Sequence, residues 1–136
     1  MKRDLGPAAA PARDPLQRWA RRIFWLLVLI VIALTLSPTA YLPKQAFTFW
    51  DKAQHALAFA TLALLGALAY PRRIGLLVFS LLAFGGAIEL AQAATGWRSG
   101  DWADWLADGV GLFAGLPLAA FSRRVLARSL AGRSAP

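Results

Sequence analysis

Apolar residues in this chain run on in four long stretches, separated by short polar breaks. The first, residues 23–42, opens with the uninterrupted IFWLLVLIVIALTL and meets Ser37 and Pro38 near its end. The others cover residues 49–70, 74–95 and 102–121. Each holds roughly 20 residues, enough to cross about 30 Å of hydrocarbon at 1.5 Å per residue. The pattern predicts an all-α bundle of four transmembrane helices. The third and fourth stretches carry Glu89, Asp104 and Asp108, ionisable residues that hydropathy alone counts against a membrane span. The first stretch has the basic lead-in and apolar centre of a signal peptide, but SPTAYLP follows Leu36 without an A-x-A cleavage pattern. A retained helix is therefore expected, bent or ended by Pro38 near the interface.

Composition agrees: 58% of the residues are apolar and 16% charged, against about half and about a quarter in soluble domains. The net charge of +8 invites a nucleic-acid reading until the basic residues are placed. Lys2, Arg3, Arg13, Arg18, Arg21 and Arg22 precede the first span, Arg72 and Arg73 lie between the second and third, and Arg123, Arg124, Arg128 and Arg133 follow the fourth. Only Lys44, Lys52 and Arg98 fall on the other side, so 12 of 15 basic residues share one side. The positive-inside rule then puts both termini in the cytoplasm, and a charge scattered over three helix ends forms no nucleic-acid stripe.

The domain reading is a basic, disordered cytoplasmic tail over residues 1–22, a four-helix domain over 23–121, and a basic cytoplasmic tail over 122–136. Pro71 to Arg73 and residues 96–101 are short connections, which make spans two, three and four antiparallel neighbours. The loop over 43–49 is longer and is expected to lie along the surface. Trp50, Trp97, Trp102 and Trp105 crowd the outer boundary as interfacial anchors. The absence of Cys excludes a thiol nucleophile, a Cys–zinc or iron–sulfur site and a disulfide scaffold. A single His excludes two- and three-histidine zinc sites within one chain.

The remaining ionisable residues fall on helix faces. Lys52, His55 and Phe59 share one face of span two; Gly85, Glu89 and Gln92 share one of span three; Asp101, Asp104, Asp108, Gly111 and Gly115 line span four. Small residues accompany them: Ala56 and Ala63 beside His55, Gly75 and Gly85 beneath Glu89, and a stripe of Ala107, Gly111, Gly115 and Ala119. Small residues let membrane helices approach closely, so these faces are expected to look inward. Chain direction puts all of them in the outer half of the bilayer. A charge at mid-membrane costs about 2.5–3.5 kcal/mol on insertion scales, so several together require pairing, water or a ligand.

These residues resemble the pattern of the VanZ-like family of small bacterial membrane proteins. There, Asp-Lys-x-x-His opens one helix, Glu-x-x-Gln lies in the next, and an Arg is followed six residues on by Asp and then by Asn-x-x-Gly. Here the matching residues are Asp51, Lys52 and His55 in DKAQHALAF, Glu89 and Gln92 in ELAQ, and Arg98, Asp104, Asp108 and Gly111 in RSGDWADWLADGVG. The resemblance covers about residues 36–115. It departs at Asp108, where the family usually has Asn; this chain has no Asn at all. The family takes its name from a glycopeptide-resistance accessory protein linked to teicoplanin. The resemblance implies a multi-pass protein of the bacterial inner membrane, acting in the cell envelope.

Together these features point to a polar site at the outer leaflet that binds or modifies an envelope lipid or a lipid-linked wall precursor. His55, Glu89 and Asp104 are the candidate catalytic residues; Lys52, Gln92, Arg98, Asp101 and Asp108 are the candidate binding residues. His55 titrates near neutral pH and reads either as a general acid or base, with Glu89 or Asp104 orienting its ring, or as an interhelical hydrogen-bond partner of the same acids. The planar fork of Arg98 suits an anionic headgroup with Lys52 assisting; the alternative is an ion-pair set of Arg98, Asp101 and Asp104 around the turn. The pattern assigns no cofactor and no metal, although three carboxylates and an imidazole are ligands of a type that Mg, Mn, Ca or a mixed zinc site accepts. Membrane lipids are the expected partners, and no oligomeric state is implied. The rival reading is a structural or accessory protein whose buried charges hold the bundle together. A proton- or ion-coupled transporter fits less well, because the inner halves of the spans carry no ionisable residue.

Overall fold

The computed structural model describes residues 15–38 and 50–133. The loop over 43–49, Lys44, the Trp50 side chain, residues 39–42 of the first expected span, and the outermost tail residues 1–14 and 134–136 lie outside the described residues. Among the described residues the chain is all-α: α1 (Pro15–Leu36), α2 (Trp50–Ala69), α3 (Ile74–Thr95) and α4 (Trp102–Arg133). All four are long and apolar enough to cross a membrane, and the chain is a multi-pass membrane protein. Large apolar side chains such as Leu29, Leu57, Phe79, Leu90 and Phe113 point outward, as they do where the surrounding solvent is hydrocarbon.

Two expected tails are corrected in part. Residues 15–22 are the first two turns of α1, and residues 122–133 are the last three turns of α4. Helix propagation adds one hydrogen bond per residue once a nucleus exists, so the apolar spans extend outward through their flanking arginines. Helix α4 has 32 residues, about 48 Å at 1.5 Å per residue, and exceeds the ~30 Å hydrocarbon.

Helices α2 and α3 form a hairpin whose turn is closed by the Arg73 amide donating to the Tyr70 carbonyl (2.9 Å), with Pro71 at the second turn position. Gly96 ends α3 in the left-handed conformation, φ +76°, where glycine carries no steric cost. The tightest packing, however, joins α2 to α4. A Cβ on Gly111 would collide with the Ala56 carbonyl, and one on Gly115 with the Ala60 carbonyl. The two backbones therefore touch along the predicted small stripe, with Ala119 buried at its far end. The stripe expected on α3 is shorter than read: Gly85 is buried against α4, whereas Gly75 faces open space.

Helix α1 packs on α2 and α3. Phe24, Trp25 and Tyr70 form an edge-to-face cluster, and the Trp25 indole donates to the Tyr70 hydroxyl (2.9 Å). At the other end the final carbonyls of α1 receive donors from α3 and its following loop: Gln92 Nε2 to Thr35 O (3.0 Å) and Trp97 Nε1 to Leu36 O (3.4 Å). These contacts satisfy carbonyls that a helix end leaves without intrahelical partners.

Gly111→Leu and Gly115→Leu should each force α2 and α4 apart and lower the melting temperature in detergent by many degrees, since overpacking costs about 1–3 kcal/mol even against movable side chains and here the obstacle is backbone. Gly75→Ala should leave the melting temperature unchanged within a degree or two.

Candidate functional site

One end of the bundle, formed by the start of α2, the end of α3, the 96–101 loop and the start of α4, gathers the candidate residues. His55, Glu89, Gln92, Asp104 and Asp108 are buried, and Asp108 is 0% exposed. Lys52 and Asp101 lie at the rim. Arg98 lies half-buried in the loop between α3 and α4.

The partnerships follow from the α2–α4 contact. His55 precedes Ala56, and Asp108 sits one turn before Gly111, so the glycine contact brings the two side chains together. His55 Nδ1 lies 2.9 Å from Asp108 Oδ1 in a buried pair. This corrects the expectation that Glu89 or Asp104 orients the ring: Asp108 does so. With Asp108 ionised, Nδ1–H donates and Nε2 carries the free lone pair. The position at which the chain departs from the VanZ-like pattern is thus the partner of its only histidine.

Lys52 bridges two acids of α4, 2.8 Å to Asp101 Oδ2 and 2.7 Å to Asp104 Oδ1. Asp101 is also the N-cap of α4, accepting from the Ala103 amide (2.9 Å). Its own amide donates to Glu89 Oε2 (2.7 Å). That contact requires the loop to lie flat on α3, and Gly100 permits it, because a Cβ there would strike the Glu89 carbonyl. Asp101 therefore ties α2, α3 and α4 together. The partner of Glu89 is a loop amide, which helical spacing cannot reveal; the clue in the sequence is the Ser-Gly-Asp run that brings a glycine and a capping residue just before a helix. Gln92 bonds α1 instead of joining the cluster.

Two buried side-chain oxygens among the described residues have no hydrogen-bond partner, Glu89 Oε1 and Asp108 Oδ2. Asp108 Oδ2 is held against Gly85, where an added Cβ would come within 2.7 Å of it. One ligand atom each from His55, Glu89 and Asp104 lie within 4.8 Å of one another. Beside them, an apolar groove of about 820 Å³ follows α3 and α4, with Phe79, Leu82 and Leu90 along its wall and Glu89, Trp102 and Trp105 at its polar end. The Trp105 indole donates to the Leu82 carbonyl (2.9 Å), pinning the ring against α3. The interval from Phe79 to Ala93 makes this groove about 21 Å long. Trp97, Trp102 and Trp105 are exposed at this same end, consistent with interfacial anchors.

Comparison of the chain with protein-family models, with curated proteins and with solved structures returns no match. The VanZ-like resemblance rests on the residues and spacings that carry it.

Two outcomes follow from these contacts. Asp108→Ala removes the partner of a buried imidazole and should destabilise the protein by about 1–3 kcal/mol, whereas Asp108→Asn keeps an acceptor for Nδ1–H and should recover most of that loss in thermal unfolding. The second concerns acid. The Lys52 hydrogen bond, joined by the Ala103 amide, holds the Asp101 carboxyl below its usual range. A depressed folded-state pKa stabilises the fold above the unfolded value, near pH 4, and that contribution disappears as pH falls through the lower folded value. Melting curves from pH 6 to pH 2 should therefore drop less steeply for Lys52→Met than for the wild type.

Proposed function

We propose that the chain is a VanZ-like protein of the bacterial inner membrane, with both termini in the cytoplasm and the His55–Asp108 end at the outer leaflet. There it binds the headgroup of an envelope lipid or lipid-linked wall precursor, or acts on it, with consequences for glycopeptide tolerance. The observation that carries this reading is the apolar groove ending at Glu89. An acyl chain laid along α3 and α4 brings its headgroup to Glu89 in the groove wall, whose carboxylate lies beside Asp104 and His55. In this reading His55 serves as acid or base through Nε2, positioned by Asp108, and Arg98 and Lys52 supply positive charge to an anionic group.

A second reading has its own observation. Lys52 with Asp101 and Asp104, and His55 with Asp108, each cross from α2 to α4, as would the fasteners of a purely structural or accessory protein. Removing one partner of the buried His55–Asp108 pair is strongly destabilising, so stability and function must be read separately.

Native mass spectrometry of the protein extracted from bacterial membranes in mild detergent decides between them. The lipid reading expects a retained anionic lipid in the wild type and about tenfold less per folded molecule in His55→Ala, Glu89→Gln and Asp104→Asn, equivalent to about 1.4 kcal/mol, with melting temperatures kept within a few degrees for Glu89→Gln and Asp104→Asn. If those variants fold normally, retain the same lipids and leave envelope lipids and glycopeptide tolerance unaltered, the lipid reading fails. If they lose lipid only in proportion to lost folded protein, the structural reading holds. Green fluorescent protein fused after Pro136 should fluoresce, as it does when folded in the cytoplasm, and a dark fusion would overturn the orientation.

A further inference from the structure

We propose that His55, Glu89 and Asp104 form a divalent-cation site, with Asp108 positioning the histidine and the open side of the ion facing the groove. It deepens the headgroup reading and rests on it for the ion's role, whereas the binding itself rests on geometry. Donor atoms that all lie within 4.8 Å of one another leave a central point within about 2.8 Å of each, a few tenths of an ångström outside the roughly 2.0–2.6 Å of metal–nitrogen and metal–oxygen bonds. A small inward shift of three side chains closes that gap.

A second, independent feature is the orphaned oxygen. Glu89 is more than nine-tenths buried, and its Oε1 has no partner, a condition that demands an explanation in a native site. Its Oε2 is already held by the Asp101 amide, so the carboxylate is fixed with one oxygen to give. Asp104 gives Oδ1 to Lys52, and its carboxylate has a second oxygen to offer the ion. The histidine completes the set. With Nδ1 held by Asp108 at 2.9 Å, Nε2 is the nitrogen left to bind. A carboxylate behind a histidine in this way fixes the ring and raises its basicity in metal sites.

Charge balance points the same way. The groups facing this space are Lys52 and His55 from α2, Glu89 from α3, and Asp101, Asp104 and Asp108 from α4 and its cap. Even with Arg98 of the adjoining loop counted, four carboxylates face three cationic or protonatable groups, and an anionic headgroup beside Glu89 adds to the negative side. A divalent ion supplies the missing positive charge and can accept a phosphate oxygen at its open positions, joining an acidic nest to an anionic ligand. Two carboxylates and one imidazole suit Mn²⁺ or Zn²⁺, and the absence of sulfur disfavours soft ions.

Untagged protein in detergent, stripped with EDTA and free of added lipid, should bind one Mn²⁺ per chain. Binding should appear as loss of the free-ion electron paramagnetic resonance signal and a rise in melting temperature of roughly 5 °C at saturation. Pulsed spectra should carry the coupling of one imidazole nitrogen, which His55→Ala abolishes. Glu89→Gln and Asp104→Asn should each weaken binding at least tenfold, and Asp108→Asn, which keeps the ring in place, should weaken it by less. Should a variant fail to fold, the nitrogen coupling and the melting shift of the wild type still decide. No saturable binding of Mn²⁺ or Zn²⁺, or Mn²⁺ bound without nitrogen coupling, overturns the proposal and leaves the headgroup reading intact. Metal binding in a protein that retains no lipid removes the headgroup reading alone.

Discussion

Glycine against backbone is the constraint on which the rest of this molecule depends. In hydrocarbon there is no hydrophobic force to drive helix against helix, and association falls to close packing and polar bonds. Gly111 and Gly115 set α4 directly on the Ala56 and Ala60 carbonyls of α2, and this contact fixes the rotation and register of both helices. Because His55 adjoins Ala56 and Asp108 lies one turn from Gly111, the same register aligns the imidazole with its carboxylate and brings Lys52 onto Asp101 and Asp104. Packing and chemistry are one arrangement here.

The exterior is as apolar as the core, unlike that of a soluble bundle. Leu29, Phe79, Leu90 and Phe113 are among the large side chains that face outward along α1, α3 and α4, while Glu89, Asp104, Asp108, His55 and Gln92 are buried at one end of the core. Most of these groups are matched across helices, including Gln92 on the Thr35 carbonyl and Asp101 through its carboxylate and its amide. The unmatched oxygens of Glu89 and Asp108 stand out against that background. They are concentrated at the end where the groove opens and the tryptophans sit, so the departure from full satisfaction coincides with the place where a ligand can arrive.

Much of this was legible in the sequence. Hydropathy located α2, α3 and the start of α4 to within a residue or two, because runs of about 20 apolar residues have few other uses. Helical spacing also placed His55, Glu89, Asp104 and Asp108 correctly on inward faces, whereas Lys52 lies exposed at the rim. It missed the outer turns of α1 and α4, where Arg18, Arg21 and Arg123 resemble a solvated tail although helix continues through them. It also mispaired His55, because periodicity gives the face of a residue but not the depth at which two distant helices cross. The contact between Glu89 and the Asp101 amide was beyond its reach, since it depends on how a six-residue loop folds back over Gly100.

The separation of the paired residues along the chain has a consequence for biogenesis. His55 and Asp108 are 53 positions apart, so at about 5–20 residues per second α2 emerges roughly 3–10 s before its partner. During that interval α2 holds Lys52 and His55, a lysine in its first turn that can reach up to the interface and an imidazole that can remain neutral. The buried acids Glu89, Asp104 and Asp108 arrive later, on α3 and α4, when Lys52 and His55 are already in the membrane. Apart from Asp51 at the very start of α2, the order of synthesis thus delivers the tolerable charges first and spares the buried acids a solitary passage through lipid.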